Sequence, residues 1–73
     1  MKYKVEYTDN TGVDDCIIEF ETEEEAEKFI EEELNIRKEL NKDYEYDYAD
    51  FGNQTEFWVC DDVEYAVWKR LWF

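Results

Sequence analysis

Two long stretches of this chain carry acid with no base to answer it. Val5 to Glu27 holds ten carboxylates and no lysine or arginine, and Asp43 to Glu64 holds eight more, again unopposed. Over the whole sequence 22 acids face 8 bases, a net charge of −14. Like charge at this density repels itself and opposes a compact state. A fold must therefore set these carboxylates on the solvent side of every element and close its core without them. The apolar content allows this, with 44% hydrophobic and 19% aromatic residues. Acidic disordered chains are poor in aromatics, so the composition indicates a folded protein.

At 73 residues the chain fits a single domain, 1–73. A core of that size supplies only about 3–5 kcal/mol of net stability, and aromatic rings supply buried area most efficiently. With no proline and two glycines the loops should be short. No stretch approaches the roughly 20 apolar residues of a membrane span. The start, Met1 to Glu6, has no apolar signal region, so the expected location is the cytoplasm. Cys16 and Cys60 would form one disulfide in an oxidising compartment; without a signal region they are expected as two buried, reduced thiols. Anionic membranes and nucleic acid should repel the chain.

Alternation predicts the first two strands. Tyr3, Val5 and Tyr7 share one face against Lys2, Lys4, Glu6 and Thr8. Asp15 to Glu21 alternates again, with Cys16, Ile18 and Phe20 on one side. Between them, Asp9-Asn10-Thr11-Gly12 is a turn, so the two strands should form an antiparallel hairpin. Thr22-Glu23-Glu24-Glu25 is a capping box: the Thr22 hydroxyl can accept from Glu25 N–H, and the Glu25 carboxylate can reach back to Thr22 N–H. Ala26, Phe29, Ile30, Leu34, Ile36 and Leu40 then fall on one helical face. Glu24, Glu27, Glu31, Glu32 and Glu39 lie opposite, and Glu33 can pair with Arg37 four residues on. This helix should run to about Asn41, or loosen near Asn35.

Tyr44, Tyr46 and Tyr48 alternate with Glu45 and Asp47 as a third strand. Asp50 to Asn53 is a turn. Gln54 to Cys60 is apolar on both faces, the pattern of a strand inside a sheet. Residues 61–73 read two ways. Asp61 with Glu64 resembles a helix start, and Val63, Ala66, Val67 and Leu71 recur at helical spacing; the β-rich composition also permits a strand. The helical reading is preferred. Cys16 to Phe29 then parallels Glu56 to Lys69 in pattern, with Ala26 and Ala66 in equivalent places. The expected fold is α+β, a small antiparallel sheet with one long amphipathic helix, in the order ββαββα.

Catalytic chemistry finds little support. There is no histidine, and no hydroxyl has a recognisable base nearby. Among so many acids, paired carboxylates will meet by chance, so Glu19 or Glu56 is better read as a solvated strand residue. No cofactor is expected. Zinc is disfavoured, because Cys16 and Cys60 stand alone with no histidine to complete a site. The Asp9–Asp15 loop is acidic, but it lacks the ligand spacing of a calcium hand.

The spacing of the acids is more informative. Asp43, Glu45 and Asp47 form a strand row, with side chains about 6.6 Å apart along one face. Glu24, Glu27, Glu31 and Glu32 form a helical row, with neighbours about 5–6 Å apart. Glutamate on an exposed helix is ordinary, and that row alone argues little. A strand row is rarer, since aspartate has low β-propensity. An ordinary surface also intersperses both signs. Rows of carboxylate on a rigid fold can enter a basic cleft that otherwise holds phosphates, and long-range attraction would speed the encounter. Tyr46, between the acids, could stack under an incoming arginine. A second surface is suggested by Trp68 and Trp72, residue types frequent at contact hot spots. These either close the core or make a partner or homodimer contact.

Together, the size, the charge and runs such as Glu23-Glu24-Glu25 and Asp43-Tyr44-Glu45-Tyr46-Asp47-Tyr48 resemble the small acidic inhibitors of phages and mobile elements. These include anti-CRISPR and anti-restriction proteins that imitate DNA. The resemblance covers the whole chain as a class and rests on no family motif, so it carries over no residue. It implies a non-enzymatic inhibitor, acting in a bacterial host cell on the nucleic-acid-binding surface of a CRISPR effector or another nuclease. The alternative is an acidic interaction module or homodimer that uses the C-terminal aromatics.

Overall fold

The computed structural model describes residues 2–60 and 64–72. Two strands, β1 (Tyr3–Asp9) and β2 (Cys16–Phe20), precede one helix, α1 (Glu23–Leu40). Three strands follow: β3 (Tyr46–Asp50), β4 (Gln54–Val59) and β5 (Tyr65–Arg70). They form one antiparallel sheet in the order β2-β1-β5-β4-β3, with α1 on one face. The fold is therefore α+β with one helix, as the sequence indicates, but its order is ββαβββ.

The turns form for local reasons. Asp9 Oδ1 accepts from Thr11 N at 2.9 Å, Gly12 N at 3.0 Å and the Thr11 hydroxyl at 2.6 Å. Gly12 completes this Asx turn with a φ of 70°, which costs little only without a Cβ. At α1, Thr22 Oγ1 accepts from Glu25 N at 3.1 Å, as the capping box requires. The Glu25 carboxylate takes the Thr22 hydroxyl, rather than the Thr22 backbone N–H, at 3.1 Å. Glu23, Glu24 and Glu25 in the first turn, and Arg37 and Lys38 in the last, suit the helix dipole.

The core lies between α1 and the sheet. Val5 and Tyr7 of β1, Phe57 and Val59 of β4, and Ala66 and Trp68 of β5 are buried against Ala26 and Ile30 of α1. Phe20 and Phe29 pair across the two layers at 5.2 Å, and on the sheet side Tyr7 meets Trp68 at 5.7 Å, Tyr46 meets Phe57 at 5.4 Å and Tyr3 meets Trp72 at 5.4 Å. β4 lies inside the sheet between β5 and β3, the position its two-sided apolar pattern demands.

The principal correction is the C-terminal segment. Residues 65–70 are a strand, not a helix, and that strand is central in the sheet. Ala66, Trp68 and Arg70 alternate inward against Tyr65, Val67 and Lys69. Ala66 and Trp68 on the inward face and Tyr65 and Val67 on the outward one make a short apolar run, which periodicity alone does not tell from a helix segment. The proposed cap at Asp61, with Val63, lies outside the described residues. The parallel between Ala26 and Ala66 dissolves, since one sits in a helix and the other in a strand.

Three smaller expectations also fail. Cys16 and Cys60 are free but exposed rather than buried. Ile36 and Leu40 continue the apolar face of α1 yet are 52% and 71% exposed, because the last turns of the helix extend beyond its cover. Arg37 pairs with Glu64 at 2.9 Å, not with Glu33, since a tertiary partner outcompetes the local one.

Candidate interaction site

The acidic rows separate once the chain is folded. Asp43 and Glu45 precede β3 rather than forming part of it, though both are exposed. Asp47 lies on β3, opposite Trp58. Tyr46 and Tyr48 flank it on the other face: Tyr46 packs on Phe57, and the Lys38 ammonium sits 3.9 Å from the centre of the Tyr48 ring. Asp47 therefore points away from the helix, and the two rows do not make one continuous surface. Tyr46, half-buried against the core, is a packing residue more than a contact.

On α1, Glu24, Glu31 and Glu32 are exposed and Glu27 is half-buried. Glu32 lies 4.0 Å from Lys28, one helical turn away. Among the described residues, Glu23, Glu24, Glu25 and Glu31 have no base within ion-pair distance. Glu27 is different. It holds the Arg70 guanidinium at two points, Nε to Oε2 at 2.7 Å and Nη2 to Oε1 at 2.8 Å. Asp50 stands on the other side of the same guanidinium at 3.4 and 3.5 Å, and the Gly52 carbonyl accepts from Nη1 at 3.2 Å.

The Arg70 side chain is only 4% exposed. Burial works against its charge; the Glu27 hydrogen bonds and charge, with Asp50 behind them, outweigh burial and hold its pKa above the ordinary arginine value. The two-point geometry is the strong form of such a pair. It bolts the N-terminal half of α1 to the end of β5.

Beside this pair the layers part. α1 packs chiefly on β1, β2 and β4, and β3 lies beyond it. The space between is a groove of about 380 Å³. Ile30 and Leu34 form its helical wall, Tyr48 faces them from β3, and Ala49 beside it completes the lining. Glu27, Glu31, Asp50 and Arg70 supply its charges. Thr55 lines it as well, 3% exposed, and its hydroxyl has no hydrogen-bond partner among the described residues. The groove thus brings together Glu27 and Glu31 of the helical row with three residues that sequence reasoning passed over: Asp50, Thr55 and Arg70. Reading 65–70 as a strand would have exposed the signal, since Arg70 then shares the inward parity of Ala66 and Trp68.

A second polar cluster ties the other end of α1 to the sheet. Arg37 pairs with Glu64, donates to the Tyr7 hydroxyl and lies 5.5 Å above the Tyr7 ring. Tyr7 in turn donates to Asp9 Oδ2 at 2.9 Å. Burial, and then the bond to Asp9, push the Tyr7 phenol well above its ordinary value, with Arg37 opposing. Asp9 is lowered to about 2, chiefly by the Thr11 hydroxyl.

The aromatic alternative loses its main residue. Trp68 is wholly buried and offers no surface to a partner, while Trp72 is half-buried against Tyr3. Among the described residues no group of three or more acids or thiols converges to hold a metal ion, and no helix is long and apolar enough to cross a membrane. Comparison with family models, curated proteins and solved structures finds no match to this chain.

Proposed function

We propose that this protein is a non-enzymatic inhibitor that uses its carboxylates to occupy the basic nucleic-acid-binding surface of another protein, a CRISPR effector or other nuclease of the host cell. One observation carries the reading: Glu23, Glu24, Glu25 and Glu31 stand on a single rigid helix with no base in ion-pair range among the described residues. Glu24 and Glu31, seven residues apart, share a stripe about 10 Å long. Fixed negative charge on such a scaffold suits a surface shaped to neutralise phosphates. The scarce arginines support the reading too, because Arg37 and Arg70 pair inward between helix and sheet instead of tempering the outer surface.

The test must avoid Glu27, whose reversal would break the pair with Arg70 and confuse folding with binding. The chain and a Glu24→Lys, Glu31→Lys, Asp47→Lys variant are immobilised and exposed to a bacterial lysate at low salt. The wild type should retain nucleic-acid-binding proteins that a salt gradient releases. The variant, with unchanged circular dichroism, should not retain them. Equal retention by both would overturn the proposal.

A further inference from the structure

We propose that β2 is a self-association edge, where it pairs antiparallel with β2 of a second copy and joins two five-stranded sheets into one. This surface is distinct from the carboxylate rows and from Trp68 and Trp72, and it stands apart from the docking reading.

The backbone supplies the first observation. β2 and β3 are the two outer strands of the sheet. Leu71 N donates to Lys4 O at 2.9 Å and Asn10 N to Tyr65 O at 3.2 Å, so Lys4, Glu6 and Thr8 direct their peptide groups at β5. Alternation then turns Tyr3, Val5 and Tyr7 toward β2, and Cys16, Ile18 and Phe20 toward β1. The N–H and C=O groups of Ile17 and Glu19 are left pointing off the sheet. An edge in this state is a template for another strand. The opposite edge is guarded. Phe51 N donates to Gln54 O at 2.8 Å and Cys60 N to Glu45 O at 2.7 Å, which turns the Tyr48 peptide outward on β3. There the Asp47 carboxylate already accepts from Tyr48 N at 2.8 Å.

Apolar surface gathers at the open edge in both layers. Ile17 is 56% exposed, and Cys16 is exposed beside it. On α1, Phe29 packs against Phe20 of β2, while Lys38 lies over Tyr48 of β3. Ile36 and Leu40 share the Phe29 side of the helix, opposite Lys38, so these two exposed side chains stand on the β2 side.

Charge selects a second copy as the occupant. The acids of this edge are answered: Glu19 lies 3.7 Å from Lys4, and Glu21 pairs with Lys2. A basic strand would find little free acid here, whereas a copy fits. With Ile17 opposite the copy's Glu19, both open residues enter hydrogen-bonded pairs. The outer face then reads Lys4, Glu19, and the copy's Ile17, Glu6 and Lys69 in one row, with no like charges adjacent. On the helix side Ile18 meets Ile18 and Cys16 meets Phe20, an apolar row. Asp15 faces Glu21 only at the rim, where Lys2 pairs with Glu21. Other registers are worse: one opposes Glu19 to Glu19, and another sets Phe20 against Asp14. Each copy carries −14, so this association strengthens as salt rises, the reverse of docking on a basic surface.

Sedimentation equilibrium, from micromolar to millimolar protein at low and high salt, tests the edge. The mass should climb from 9.0 kDa toward twice that value, and further at high salt. Ile17→Pro removes an outward N–H, which an edge strand tolerates. It should weaken association about tenfold or more, the loss of one hydrogen bond from each copy. Ile17→Glu, which opposes Glu19, should do the same and serves if the proline variant does not fold. In a Cys16→Ser, Cys60→Ser background, Ile18→Cys should form an interchain disulfide on mild oxidation. Residues opposed between hydrogen-bonded pairs lie about 4.5 Å apart at Cα, within disulfide reach. Wild-type Cys16 faces Phe20 in this register and should not cross-link to its counterpart. A monomer at every concentration in high salt, association that falls with salt, indifference to both Ile17 variants, or cross-linking through Cys16 or Cys60 in preference to Ile18→Cys would each overturn the assignment. Any of these would leave the docking reading as it stands.

Discussion

The two ends of the helix–sheet seam are each fastened by an arginine, and they differ. Arg70 is 4% exposed and lies between two carboxylates, with an open groove beside it. Arg37 is 25% exposed, meets one carboxylate, and covers a tyrosine ring in a packed neighbourhood. The Arg37 end is filled because Tyr7 and Trp68 meet beneath it. At the other end the same sheet row runs from Trp68 to the small Thr55 and then to Asp50, and a groove is left beside Ile30 and Leu34. One side-chain type thus serves as a cover where rings supply the packing and as an ionic bolt where they do not. The groove is what remains where packing stops.

Substitutions can break this contrast, starting with the packed end. Trp68→Ala should cost about 3–5 kcal/mol, comparable to the whole stability of so small a core. It should leave the chain largely unfolded by near-ultraviolet circular dichroism. A cooperative melt close to the wild type would deny that this end carries the core. At the bolted end, Glu27→Gln should cost about 2 kcal/mol in urea unfolding, because a buried guanidinium loses its best partner. The same change at Glu64, whose pair is a quarter to a third exposed, should cost under about 1 kcal/mol. If the two losses were equal, the distinction between bolt and cover would be gone.

Thr55→Val sharpens the contrast in the opposite direction. Replacing an unpartnered buried hydroxyl by a methyl should stabilise the fold by about 1 kcal/mol. A variant that melted lower would instead reveal a hidden partner for the hydroxyl. The smallest effect lies in the hairpin. The Asp9 carboxyl should titrate near 2 by ¹³C NMR, below its ordinary 3.8. Its contribution to stability is complete above that ordinary value and is lost as pH falls through the folded one. Thr11→Val removes the principal cause and should raise the midpoint toward the ordinary value.

Local signals were legible in the sequence. The Thr22 cap, the Asp9–Gly12 turn, the alternation of β1 and the two-sided pattern of β4 are each written within a few residues. What escaped was set by neighbours in space. β5 carries apolar residues on both faces, Ala66 and Trp68 inward and Tyr65 and Val67 outward, and within one segment that resembles a buried helix. The inward position of Arg70 follows only from its shared parity with Ala66 and Trp68 on β5. Glu27 looked like one more member of an exposed row, yet its partner lies 43 residues away. Asp47 was correctly placed on a strand, but only the sheet shows that it turns away from α1.

Competition with duplex DNA tests the central claim most directly. The protein retained most strongly in the capture experiment is purified, bound to this chain, and titrated with duplex DNA while fluorescence anisotropy follows the labelled chain. If carboxylates occupy a nucleic-acid site, duplex DNA should displace the chain completely, with an apparent affinity that falls as salt rises. A ternary complex that holds chain and DNA together would contradict the account.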